Sequence, residues 1–158
     1  MRRLIDSNAP AAVILIRLMV GAVFVSEGIQ KFLYPAELGS GRFERIGLGN
    51  PELTSLGVGA AEILFGALVL VGLYTRIAAV PLALIMIAAI VSTKIPILLG
   101  ESLLGFQLRK LDHYGFWSMA HEARTDWAML LGSLFLIAVG AGKWSLDARL
   151  ARRRSYRR

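Results

Sequence analysis

Six charged residues lie within or at the edges of long apolar runs, and they are the chemistry this chain offers. Glu62 interrupts the run 53–74. Arg17 and Glu27 interrupt an earlier run, with Lys31 at its end. Lys94 interrupts a third, and Asp126 opens a fourth. A charge inside a membrane segment is costly, so it faces the protein interior, finds a partner and marks function. Two uses compete for such a set. Arg17–Glu62 and Glu27–Lys31 or Lys94 serve as buried pairs that fix helix register, or the same groups line an outward-open pocket for a polar ligand, a quinone headgroup or a proton.

Other reactive residue types are sparse. His113, His121, Glu122 and Asp126 are the kinds of group that bind a divalent cation. The two histidines, however, do not stand in the i,i+4 relation of a helical ligand pair, and loop histidines facing solvent are the simpler reading. No metal is therefore expected. Asp126 also suits the positive N-terminal end of a helix. The chain has no cysteine, which removes disulfides, thiolate metal sites and CxxC chemistry from it. GxSxG, Walker A, GxGxxG and HExxH sequences are all missing, so nothing specifies hydrolysis or nucleotide binding.

The elements that must position these charges are membrane helices. The chain is 56% hydrophobic and 18% charged, against about a quarter charged in a soluble domain. Four stretches suffice for the roughly 20 helical residues of a span: 11–30, 54–74, 77–97 and 126–142. The first is too long and too charged for a cleaved leader, since it holds Arg17, Glu27 and Lys31. The expected fold is a single all-α domain, a transmembrane four-helix bundle with a basic tail over 143–158. Ten lysines and arginines fall on the side of both chain ends, among them Arg2, Arg3, Arg76, Lys143 and six C-terminal arginines. Six fall on the other side, matched by six acids. The positive-inside rule then makes both termini cytoplasmic. The net charge of +7 lies mostly in the tail, which reads as an anchor on anionic lipid and not as a nucleic-acid site. Phe106, Tyr114, Phe116 and Trp117 suit an interfacial belt, and Trp127 and Trp144 the ends of the last span.

Phase and depth gather the charges. Arg17, Gly21, Phe24, Gly28 and Lys31 form one helical stripe, and Gly59, Glu62, Gly66 and Val69 another. Gly21 and Gly28 allow close helix approach, as do Ala128 and Gly132 on the last span. Glu62 lies about 12 Å from one surface and Arg17 about 9 Å from the other, which leaves about 9 Å between them. Arg17 can reach across that distance. Glu27, Lys31, Lys94 and Asp126 lie near the outer ends of their helices. Pro96 weakens the end of the third helix, freeing carbonyls for the pocket or ending the helix.

Several of these segments resemble a known family. Arg17-Leu-Met-Val-Gly21 with Gly28-Ile-Gln-Lys31-Phe is similar to the opening of the DoxX family of small four-helix membrane proteins. Glu62-Ile-Leu-Phe-Gly66 through Thr75-Arg76 resembles its second-helix signature. Ser92-Thr-Lys94-Ile-Pro96, and the stretch from Tyr114 to Asp126, resemble a bacterial subgroup. The resemblance runs from about residue 11 to 148. It implies a multi-pass protein of the bacterial cytoplasmic (inner) membrane, in contact with the lipid bilayer and with other membrane subunits. The family is named for similarity to the small subunit of a thiosulfate:quinone oxidoreductase. The expected function is thus a membrane subunit of a redox-linked assembly that handles a quinone or proton near the outer leaflet. A non-catalytic scaffold is the first alternative, and an oligomeric small-solute carrier the second.

Overall fold

A computed structural model of the chain describes residues 9–155, with side chains to residue 153. Arg2, Arg3, Arg157 and Arg158, and the side chain of Arg154, all counted in the charge balance above, lie outside the described residues. The described residues are helical, apart from turns and one isolated Leu103–Phe106 bridge.

Local sequence sets the helix limits. Helix α1 (Val13–Leu33) stops at Tyr34, because Pro35 disfavours helical backbone in the residue before it. A short α2 (Ser40–Ile46) follows. Helix α3 (Pro51–Val71) starts with a proline, whose missing N–H is no loss at that position, and has Glu52 in its first turn, where the helix dipole favours an acid. It ends at Gly72, whose φ of 70° needs a residue without a side chain. Helix α4 (Thr75–Ala89) leads through a π-turn (Ile90–Lys94) into α5 (Ile95–Leu99). Helices α6 (Phe116–Glu122), α7 (Arg124–Val139) and α8 (Leu146–Ser155) complete the order.

Helix α1 packs on α3, α3 on α4, α4 on α7, and α7 on α1. Neighbours run antiparallel: Gly21 meets Gly66 while Gly28 meets Gly59, and Val20 meets Gly132 while Val13 meets Gly142. The α1–α3 contact is backbone on backbone. A Cβ on Gly21 would stand 2.8 Å from the Gly66 carbonyl oxygen, and one on Gly28 would stand 2.7 Å from that of Gly59. Both glycine stripes form the buried faces of their helices. Phe24, Val69, Leu82 and Leu136 fill the centre, while Leu15, Leu64, Leu84 and Leu131 point outward. Ala128, in contrast to the expectation, is exposed, and of these two residues Gly132 makes the close approach to α1.

Three helices are long and apolar enough to cross a membrane: Val13–Leu33, Pro51–Val71 and Thr75–Leu99, with mean hydropathies of 1.7, 1.9 and 2.3. The third continues past Pro96 to Leu99, so of the two readings of Pro96 the one that ends the helix does not hold. The fourth expected span, 126–142, is a helix of 16 residues, about 24 Å long. It stops short because Gly140 and Gly142 adopt positive φ. Arg76 then binds its last carbonyls, those of Ile137, Ala138 and Val139.

Candidate functional site

Arg17 does not pair with Glu62. The glycine register places Arg17 level with Leu70, about 12 Å along the axis from Glu62. Its guanidinium donates to the carbonyls of Val69 (2.9 Å) and Leu70 at the end of α3. It also donates to Ala141 (3.3 Å) and Trp144 (2.6 Å) beyond α7. Val69 and Leu70 belong to the last turn of α3 and Ala141 and Trp144 lie past α7, where carbonyls lack the regular i+4 N–H, although Val69 also accepts the Gly72 N–H at 3.1 Å. Arg17 is a buried clasp on two chain reversals. Asp147, also buried, completes this end by accepting the N–H groups of Tyr74 (2.8 Å) and Thr75 (3.0 Å) at the start of α4. Sequence reading missed Asp147, which sits in a polar tail whose fold back onto the 72–75 turn has no local signal.

Glu62 pairs with Lys31 instead. Lys31 Nζ lies 2.6 Å from Glu62 Oε2, with both side chains buried. The contact is a close pair of opposite charges. The same ammonium donates to the Glu27 carbonyl at 3.3 Å and lies 3.9 Å from the Glu27 carboxylate. On the facing helices Lys94 Nζ lies 3.4 Å from Asp126 Oδ2.

The π-turn sets the position of Lys94. Pro96 has no N–H for the Ser92 carbonyl, and its ring would strike that oxygen in a regular helix. The turn widens, and Ile95 N–H bonds the carbonyl of Ile90. Ser92 and Lys94 are thereby both buried, a local departure of the kind that recurs at functional sites.

Glu27, Lys31, Glu62, Lys94 and Asp126 all border one cavity of about 700 Å³ between the four helices. Apolar side chains, including Val23, Phe24, Ile85 and Met129, form its deeper wall. Its roof is formed by Phe43 and Ile46 of α2 with Phe106, beside Arg42 of the same short helix. The Gln107 N–H ties this roof together by bonding the Ile46 carbonyl at 2.8 Å. Phe106 is therefore a half-buried cavity residue and not part of a surface belt, whereas Trp117 is exposed.

Arg42 is a further cavity residue that sequence reading passed over as a loop charge. Glu122 borders the cavity and pairs with Arg109 at 2.9 Å. The His121 carbonyl accepts from Arg124. Among the described residues no three His, Cys, Asp or Glu side chains gather to hold a metal ion, so His113, His121 and Glu122 form no such group.

Comparison with known proteins identifies the chain. The DoxX family model matches residues 12–95. The uncharacterized membrane protein Rv3486 of Mycobacterium tuberculosis is 53% identical over 151 residues, which cover 96% of this chain and 88% of that protein. The chain belongs to the DoxX family. No solved structure matches it. This DoxX protein is an integral, multi-pass protein of the bacterial cytoplasmic membrane, and its outward-facing leucines are the surface that meets lipid.

Proposed function

We propose that this DoxX protein is a membrane subunit of a redox-linked assembly, and that its cavity handles a quinone, or an accompanying proton, near the outer leaflet. The supporting observation is the cavity itself: buried ion pairs at one end, an apolar wall at the other, and a volume of about 700 Å³. Pockets of this size, mostly apolar with a few placed polar groups, suit small organic ligands. In this reading α1, α3, the Thr75–Leu99 helix and α7 form a transmembrane four-helix bundle with cytoplasmic termini. Arg76, Lys143, Arg149 and Arg152 mark the cytoplasmic side, and exposed Trp144 anchors the short α7 at the interface.

The residues fit a quinone. Lys31, Lys94 and Arg42 are donors toward carbonyl oxygens, and the apolar wall takes a ring and the start of a tail. A bound quinone supplies two-electron, two-proton chemistry, with electrons coming from a partner subunit. Glu62, held by Lys31, is the group placed to carry a proton at the cavity wall.

A photoactivatable quinone analogue tests this. Labelling of α1 and of residues 84–94, competed by unmodified quinone, is the expected result. Labelling elsewhere, or labelling that does not compete, contradicts it. Glu62→Gln leaves Lys31 with Glu27 and should keep the protein folded while stopping quinone-dependent turnover of the assembly. A scaffold would show the reverse, with lost assembly and intact turnover per complex.

A further inference from the structure

Among the described residues that line the cavity, one cation has no close partner. Lys31 and Lys94 each face a carboxylate within 4 Å. The half-buried Arg42 guanidinium makes no hydrogen bond or ion pair with any described residue. Its charge reaches Glu62 only at longer range. A guanidinium is donor-only and always charged, so at a cavity wall it is free to donate to an acceptor that a ligand brings.

The cavity wall also includes residues that are exposed at mid-membrane depth. Its membrane-surface end carries the roof of Phe43, Ile46 and Phe106. Leu84 and Ile87 of α4, by contrast, belong to the cavity wall and are 59% and 45% exposed. They lie about 14 and 18 Å along the helix from Thr75, near the middle of a hydrocarbon core about 30 Å thick. Thr54 and Val58 of α3 border the same space. A gap between helices at that depth faces acyl chains and not water.

We propose that the cavity is entered sideways from the bilayer between α3 and α4, and that Arg42 holds the head of the incoming molecule. The ligand is an apolar-tailed compound whose head only accepts hydrogen bonds. A quinone carbonyl and a lipid phosphate share that chemistry. The proposal rests on the reading of the cavity as a ligand site. Arg42 binds and orients the ligand, and Ala88, exposed and part of the wall, lies at the side opening.

The test is a binding titration on the full chain in nanodiscs of zwitterionic lipid. Its probes are a short-tailed quinone, the same quinone without its tail, and phosphatidylglycerol. Thermal unfolding of each ligand-free variant serves as the control for folding. The expected result has the tailed quinone binding the natural protein, and Arg42→Gln weakening it about tenfold or more, the loss of one charged hydrogen bond. Arg42→Lys should restore part of the affinity. Ala88→Trp should slow binding of the tailed probe, and the tail-less probe should bind more weakly. Unchanged affinity in Arg42→Gln with normal binding by the natural protein overturns the anchor and leaves the quinone reading standing. Unchanged kinetics in Ala88→Trp overturns the side opening. Arg42-dependent binding of phosphatidylglycerol alone supports the anchor and overturns the quinone reading. Binding of neither probe overturns both.

Discussion

Lys31 holds the charge cluster together, because it serves Glu62, the Glu27 carboxylate and the Glu27 carbonyl at once. Lys31→Met strands a buried Glu62 carboxylate, and breaking a buried pair from one side costs about 3–5 kcal/mol. Replacing both partners, Lys31→Met with Glu62→Met, should recover most of that loss. Reversible unfolding in detergent checks both variants, and equal stabilities for the single and natural proteins would remove the pair from the account. Arg17→Met should also destabilise, by at least about 3 kcal/mol given four charged hydrogen bonds, but without changing ligand affinity. Both stripes were readable in the sequence, since a repeat of 3.6 residues puts Arg17, Gly21, Phe24, Gly28 and Lys31 on one buried face. The partner of Glu62 was not. Pairing depends on the axial offset between α1 and α3, which the meeting of Gly21 with Gly66 and Gly28 with Gly59 sets, and depth along each helix separately does not contain it.

At the scale of elements, the π-turn and the glycine seam carry the geometry. Pro96→Ala supplies the missing N–H and removes the ring clash, so the turn can tighten to a regular helix. Loss of one inserted residue rotates the flanking segment by about 100°. Lys94 should then leave Asp126, with ligand affinity falling. Undiminished affinity would show that the widened turn has no part in the site. Gly28→Val should separate α1 from α3, because its Cβ meets the Gly59 backbone and neither strand of chain can yield. Overpacking of this kind costs about 1–3 kcal/mol or more, and unfolding reads it directly. Composition marked the helices well, but their ends followed special backbone. The positive φ of Gly140 and Gly142 shortens α7, a stop that the two glycines signal and that hydropathy alone passes over.

The whole molecule holds two polar ends with different work. One end is a structural clasp of Arg17, Arg76 and Asp147 on chain reversals. The other is a cavity of paired charges beneath the roof of Phe43, Ile46 and Phe106. The proposed orientation puts the clasp at the cytoplasmic face, and a chain without cysteine makes that easy to check. In intact cells an impermeant maleimide should label Asp112→Cys and leave Lys143→Cys unlabelled; the opposite pattern would invert the topology. The central claim is that the cavity hosts a small lipid-borne molecule. Native mass spectrometry of the protein, gently extracted from its own membrane, tests it most directly. A retained mass matching a quinone, lost in Arg42→Gln, is the predicted result. A chain that carries protein partners but never a small molecule would contradict it.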